Sequence, residues 1–326
     1  MKRRNFIRVT ASAVAIAAGA GYLLSDKANL VRGDIEEEKP GVSNLKEDER
    51  LILFLASLAP SGHNTQPWTV RVLAPYHWIV GNDRNRWLPA VDPTQRETIL
   101  SIGAFLQNLE YAAAHFGYRC DFNLLAATNQ DADIMEVKLT KDSGVESFPV
   151  DEIKLRRTVR SDFLGRPLTP ADISYLTSEE KEFFHFIPPS SKEYRQINEL
   201  TVEANRIQVY RDHAEQELAD WIRFSSKDAR LHRDGLTTAG MEITGIPGWV
   251  VRNFYSAKDV MKKSFREQTI GKAQVQVSSS GGWLLISSKD NSVMTLLDTG
   301  RRLQRVLLKI RKKNIAIHPM TQALEE

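Results

Sequence analysis

The order of apolar and polar positions divides the chain into a short series of elements. Leu51, Ile52, Leu55 and Leu58 fall at helical steps and predict a helix over about 47–59. Thr69–Leu73 and His77–Val80 alternate and predict two strands. The clearest helical stripe of the first half is Ile99, Ile102, Phe105, Leu106, Leu109, Ala112, Ala113 and Phe116, with Gly117 placed to stop it. Arg119–Leu125 and Met135–Thr140 alternate and read as strands. A second half opens near Asp151. In it Thr169-Pro170-Ala171-Asp172 has the form of a capped helix start. Ile197, Leu200, Ala204 and Ile207 predict a helix from Ser191 to about His213, and Gln274–Val277 and Trp283–Ser287 read as strands. The last long helix carries Val293, Leu296, Gly300, Leu303, Val306, Leu307 and Ile310 on one face.

Two of these helices align. Gly103-Ala104-Phe105-Leu106-Gln107-Asn108-Leu109 matches Gly300-Arg301-Arg302-Leu303-Gln304-Arg305-Val306. In both, a residue suited to a left-handed stop lies fourteen positions after the glycine, Gly117 in one and Asn314 in the other. Glycine inside a helix costs roughly 1 kcal/mol against alanine. Its presence at matching positions predicts a close approach of backbone. The alternative is coincidence between two amphipathic helices.

The N-terminus changes the picture of charge. The chain carries 44 Lys and Arg against 41 Asp and Glu, a net +3. Lys2, Arg3, Arg4 and Arg8 supply four of the basic residues. Without them 44 less 4 leaves 40 basic against 41 acidic residues, so the body gives no basis for nucleic-acid binding. Val9–Leu24 follows without a charge, and Ala18-Gly19-Ala20 offers small residues for cleavage. Residues 1–28 therefore have the form of an export signal, shorter in its apolar part than the ~20 residues of a membrane span. Paired arginines followed by Phe6-Ile7-Arg8 resemble a twin-arginine signal. The expectation is export by the twin-arginine machinery, to the periplasm or the outer face of the cytoplasmic membrane. The alternative is an uncleaved segment that tethers the protein to the membrane. Residues 29–46, charged and then broken by Pro40-Gly41, read as a linker.

Candidate chemistry concentrates in two places. Ala59-Pro60-Ser61-Gly62-His63-Asn64-Thr65-Gln66-Pro67-Trp68 is a polar loop between a predicted helix and a predicted strand. The amides of Asn64 and Gln66 suit recognition of an uncharged, multi-edged heterocycle. Leu155-Arg156-Arg157-Thr158-Val159-Arg160-Ser161 is the second. If helical, it sets Arg156 and Arg160 one turn apart, able to grip one anion. The bland alternative is a solvated basic patch. Ser278-Ser279-Ser280-Gly281-Gly282 has no Walker lysine and reads as a strand lead-in, and Gly245-Ile246-Pro247-Gly248-Trp249 reads as a turn that shapes a lid.

The loop resembles the Pro-Ser-x-x-Asn-x-Gln-Pro-Trp segment of the nitroreductase family, whose members are FMN-dependent oxidoreductases. The duplicated helix is similar to the Acg-like branch, in which two related halves share one chain. The resemblance covers roughly Glu47 to the C-terminus. It implies an α+β, nitroreductase-like fold, with two related α/β halves at 47–150 and 151–326 forming a pseudo-dimer. It also implies FMN as cofactor. Ser61, Asn64 and Gln66 would lie near the ring, and Arg156, Arg157, Thr158 and Arg160 near the phosphate and ribityl chain. The expected function is an exported oxidoreductase. Hydride would pass from NAD(P)H to flavin and on to a nitroaromatic or quinone-type acceptor. The protein itself would supply no catalytic acid or base.

The rival reading is a non-catalytic FMN store with a lid over the site, and a third is an interaction protein without cofactor. No metal site is expected: Cys120 is the one cysteine, the seven histidines are dispersed, and HExxH is missing. Neither GxSxG nor a Rossmann fingerprint occurs. The chain stops at Glu326, soon after Pro319-Met320-Thr321-Gln322-Ala323-Leu324, where relatives continue to a last strand and further phosphate ligands.

Overall fold

The computed structural model describes residues 25–28, 45–161 and 163–325. The expected signal, residues 1–28, lies outside the described residues except for 25–28, and the expected linker except for 45–46.

The first half begins with α1 (Glu47–Ser57), followed by a hairpin of β1 (Trp68–Ala74) and β2 (His77–Asn82). The long helix α2 (Arg96–His115) comes next, then β3 (Tyr118–Leu124) and β4 (Asp133–Lys141). The four strands form one antiparallel sheet in the order β1-β2-β4-β3. Alternation along these strands sends Trp78, Val80, Ile134 and Val137 into a core with Ile52 and Leu55 of α1 and Ile99, Ile102, Phe105 and Leu106 of α2. Asp92 fixes the start of α2 by accepting the Thr98 N–H at 2.9 Å.

The second half contains α3 (Asp151–Leu155), α4 (Pro170–Thr177), β5 (Phe184–Ile187), α5 (Lys192–Tyr210) and α6 (Asp212–Trp221). It continues through β6 (Ile222–Arg223), α7 (Ser226–His232), β7 (Leu236–Thr237), α8 (Gly245–Phe254), α9 (Ala257–Val260) and α10 (Lys263–Ser278). It ends with β8 (Trp283–Ile286), α11 (Val293–Lys309) and α12 (Gln322–Glu325). Its sheets are small: β5 pairs antiparallel with β8, and β6 with β7 in parallel. The α+β class therefore holds, with unequal halves.

Several local expectations change. Gln274–Val277 is helix, inside α10, although its Gln-Val-Gln-Val order alternates. The buried set Ala273, Gln276 and Val277 has helical spacing, and packing decided over local alternation. The predicted helix over 191–213 is broken at Arg211 (φ −85°, ψ 107°) into α5 and α6. Gly245–Trp249 is the first turn and a half of α8, not a turn.

The aligned helices α2 and α11 pack directly on each other. A Cβ on Gly103 would stand 2.2 Å from the Leu297 carbonyl oxygen, and one on Gly300 would stand 2.0 Å from that of Leu100. Leu297 precedes Gly300 by three residues, as Leu100 precedes Gly103, so the contact is reciprocal. The polar pairs obey the same exchange. Gln304 Nε2 donates to Asn108 Oδ1 at 2.6 Å, and Arg305 Nη1 donates to Gln107 Oε1 at 2.8 Å. Left-handed residues follow both helices, Gly117 (φ 75°) after α2 and, beyond a 3-10 turn at Ile310–Lys313, Asn314 (φ 52°) after α11. An isologous contact between two subunits has this form; here it lies within one chain. The element order is helix, strand, strand, helix in α1-β1-β2-α2; α4, β5, β8 and α11 follow the same order, with residues 188–282 lying between the two paired strands.

Candidate functional site

The 61–66 loop joins α1 to β1 and holds an unusual backbone. His63 (φ 45°), Asn64 (φ 56°) and Gln66 (φ 54°) all occupy the left-handed region. Such conformations cost of order 1–3 kcal/mol each for residues other than glycine and persist where surroundings enforce them. The Ser61 hydroxyl accepts the Gln66 N–H at 3.0 Å, which closes the loop on itself.

The remaining support comes from residues 233–235, far along the chain. Asn64 Nδ2 donates to the Gly235 carbonyl at 3.1 Å, and the Gly235 N–H donates to the Asn64 carbonyl at 3.0 Å. Gln66 Nε2 donates to the Arg233 carbonyl at 2.9 Å. Residues 233–242 thus form a strap across the loop. Gly235 is required there: its φ is 73°, and a Cβ would meet the Trp221 carbonyl oxygen at 2.4 Å. The strap is anchored by the buried Asp234 carboxylate, which takes Arg86 Nη1 at 2.9 Å and Arg223 Nη2 at 2.6 Å. Arg86 also donates to the Thr65 carbonyl at 2.7 Å, so one guanidinium fastens loop and strap together. The two amides read from sequence as ring-recognising groups are therefore engaged by strap carbonyls through their N–H donors.

The basic segment also differs from its helical reading. α3 ends at Leu155, and Arg156 is already extended (φ −60°, ψ 134°), so Arg156 and Arg160 are not one helical turn apart. Arg156 is buried and Arg157 exposed. Thr158 is half-buried. Arg160 turns toward the strap: its Nη1 donates to the Gly240 carbonyl at 2.7 Å and its backbone N–H to Glu242 at 2.8 Å. Gln276 of α10 donates to the Arg160 carbonyl at 2.6 Å, and the Val159 N–H donates to Ile317, next to His318.

Two cations, Arg160 and Lys272, and two neutral imidazoles gather here around Glu242. Burial and then the neighbouring Arg160 charge hold His63 down to about 4. Burial, then Arg160 and Lys272, hold His318 down to about 4 as well, against the opposing pull of Glu242. Partial burial and Arg160 also lower the Lys272 ammonium. Burial disfavours the Glu242 charge, but hydrogen bonds from Ser161 and the Arg160 N–H outweigh it, and its pKa is lowered. The Nδ1 atoms of His63 and His318 are enclosed without a hydrogen-bond partner. Arg160 and Lys272 thus lie near one carboxylate, Glu242, and near two enclosed imidazole nitrogens, an arrangement chemically able to take an anion.

The structure thus brings Ser61, Asn64 and Gln66 to Arg160, through His63. His63, Lys272 and His318 join the cluster although the motifs did not single them out. A histidine inside the Asn64 loop was the available signal for His63. Lys272 and His318 are remote in sequence and gave none. The loop between α4 and β5 carries carboxylates: Glu179 pairs with Lys309 at 2.7 Å and Glu180 with Arg302 at 3.1 Å.

No family model matches the chain. Distant relatives do match it. "Putative NAD(P)H nitroreductase acg" of Mycobacterium tuberculosis strain H37Rv is 26% identical over 286 residues, 83% of this chain and 79% of that protein. "Putative NAD(P)H nitroreductase Rv3131" of the same organism is 30% identical over 140 residues, 40% of this chain and 39% of the relative. "Probable NAD(P)H nitroreductase PigM" of a Serratia species is 38% identical over 74 residues, 22% of this chain and 21% of that protein. These relatives support a nitroreductase relationship. The match to Rv3131 spans about two fifths of that protein's length, while the match to acg runs through most of both chains.

Proposed function

We propose that the chain is an Acg-like, nitroreductase-type flavoprotein whose single FMN site lies under the strap. The carrying observation is the cluster of Arg160, Lys272, His63 and His318. Its two enclosed, unpartnered imidazole nitrogens fit the phosphate end of FMN. Arg160 and Lys272 would hold the phosphate, with Arg156, Arg157 and Thr158 contributing from the same segment. Ser61 and the carbonyl oxygens of the Asn64 and Gln66 side chains remain available as acceptors toward the ring. The reciprocal α2–α11 contact supports reading 47–150 and 151–326 as duplicated halves that take the place of two subunits.

Bound FMN would supply two-electron chemistry, with hydride entering from NAD(P)H and electrons leaving to a nitroaromatic or quinone-type acceptor. The protein's part is to position the flavin, neutralise its phosphate and control access. The neutral imidazoles of His63 and His318 can each act as donor or acceptor without adding charge. Export by the twin-arginine route, which carries folded proteins, suits a cofactor loaded before transport, and places the protein in the periplasm or at the outer face of the cytoplasmic membrane.

The strap favours a second reading, FMN storage without turnover, because it spends the loop amides and lies across the loop. Anaerobic addition of NADPH to the flavin-loaded protein separates the two. Bleaching of the flavin absorbance supports the oxidoreductase. An unbleached spectrum that loses its colour only with dithionite supports the store.

A further inference from the structure

The strap at 233–242 connects α7 to α8, so a group that fixes those two helices also fixes the strap. Residues Ser25–Ala28, some 200 positions earlier in sequence, bind both helices. On α8, the Trp249 indole N–H donates to Ser25 Oγ at 3.0 Å. The Asp26 N–H donates to Asn253 Oδ1 at 2.8 Å, and Asn253 Nδ2 donates to the Asp26 carbonyl at 3.0 Å. On α7, the Ser226 N–H donates to the Asp26 carboxylate. An N–H in the first turn of a helix has no partner inside that helix, so this bond supplies one. The Ser226 hydroxyl has one hydrogen to give and stands beside the same carboxylate and 2.8 Å from the Ala28 carbonyl.

Arg252 of α8 carries the connection to the strap itself. Its side chain is 7% exposed, and its Nε lies 3.6 Å from the Asp26 carboxylate. At that distance the pair is ionic, and Nε makes no hydrogen bond. Among the described residues, Asp26 is the carboxylate that pairs with Arg252. The guanidinium also reaches Lys27, whose carbonyl accepts Nη2 at 3.4 Å. Its Nη1 donates to the Thr238 hydroxyl at 3.1 Å. Thr238 is buried in the middle of the strap. On either side of it, Arg233 and Gly235 bind the 61–66 loop, and Gly240 and Glu242 bind Arg160.

We propose that Ser25–Ala28 is an intramolecular clasp that holds the strap against the 61–66 loop through the Asp26–Arg252–Thr238 contacts. A buried guanidinium that loses its counter-charge is strongly destabilised. Without the Asp26 carboxylate, Arg252 turns toward water and releases Thr238. The strap then keeps its bonds to the loop and to Arg160 but loses its hold at the centre, and local opening becomes easier. The place of the clasp in the chain makes it a switch. It occupies the end of the expected 1–28 signal, so a cut at Ala18–Ala20 keeps it and a cut after Ala28 removes it. N-terminal processing would therefore set how readily the strap opens. The clasp is independent of flavin binding, and its test reads the backbone alone.

The test is hydrogen–deuterium exchange of the full chain without flavin, read by mass spectrometry in the parent, Asp26→Ala and Asp26→Asn. The Asn variant keeps the shape of the side chain and an acceptor for the Ser226 N–H, and removes only the charge that faces Arg252. In Asp26→Ala the amides of 233–242, among them the Gly235 N–H that bonds to Asn64, should exchange at least about tenfold faster than in the parent. Asp26→Asn should show a smaller acceleration at the same residues. Amides at 99–109 within α2 should keep the parent rate in both. Strap exchange at the parent rate in both variants overturns the clasp. Acceleration that extends equally to α2 in both overturns it too, since the segment would then support the fold at large.

Discussion

Replacing Gly103 or Gly300 with alanine tests the reciprocal helix crossing. In an ordinary helix the change stabilises by roughly 1 kcal/mol. Here each new Cβ would meet a backbone carbonyl, at 2.2 Å for Gly103 and 2.0 Å for Gly300. To restore an ordinary carbon contact of about 3.4 Å, α2 and α11 must part by roughly 1.2 to 1.4 Å. Overpacking of that kind costs about 1–3 kcal/mol. Parting also stretches the buried Gln304–Asn108 bond, whose loss costs about 1–3 kcal/mol. After the helix gain is subtracted, each variant should lose about 1–5 kcal/mol by equilibrium urea denaturation. One displacement relieves both clashes, so the double variant should lose clearly less than the sum of the singles. Gly271→Ala in α10 is the control, because its added Cβ meets nothing within 4 Å. It should stabilise by roughly 1 kcal/mol. Stabilisation by Gly103→Ala or Gly300→Ala, or strict additivity of the pair, would refute the reasoning.

Three further outcomes follow from the site and its surroundings. Asn64→Ala should free the strap, and limited proteolysis should then cut within 233–242 faster than in the parent; unchanged cutting would mean the strap is held without the Asn64 bonds. Burial, and then Glu325, raise Glu97 to about 7. A raised carboxyl adds stability that is complete below about pH 4.5 and is lost as pH rises through 7. Glu97→Gln should therefore flatten the stability–pH curve between those values, and an unaltered curve would refute the assignment. His63 and His318 act oppositely: their depressed values favour the fold above about pH 6.5, and that stability is lost as pH falls toward 4. Holding each ring neutral to that pH is equivalent to roughly 3 kcal/mol as an upper figure. His63→Gln with His318→Gln should accordingly reduce the loss of stability on acidification from pH 6.5 to pH 4, measured by urea titration at each pH. An equal loss in parent and variant would show that other groups dominate.

What could be read from sequence was set by local rules. The α2 and α11 stripes are long and strictly periodic, so their ends were fixed to within a few residues by Gly117 and Asn314. The hairpin β1–β2 was legible for the same reason. Gln274–Val277 was misread because four residues cannot distinguish alternation from the spacing of Ala273, Gln276 and Val277 against α5. Arg156 to Arg160 was misread as helix because no local residue announces that the chain leaves α3 at Leu155. The strap was invisible: Arg233-Asp234-Gly235 carries a turn signal and nothing that points to a loop some 170 residues earlier. The Asn64–Gln66 loop was found by its composition, yet the partners of its amides are tertiary.

The most direct measurement is a fluorescence titration of the cofactor-free full chain with FMN and, in parallel, with riboflavin, which lacks the phosphate. Two charge-assisted contacts of about 1.5–3 kcal/mol each imply at least a hundredfold preference, roughly, for FMN. The preference should collapse in Arg160→Ala with Lys272→Ala. Equal affinity for the two flavins, or no binding of either, would contradict a flavin phosphate site at the Arg160–Lys272 cluster.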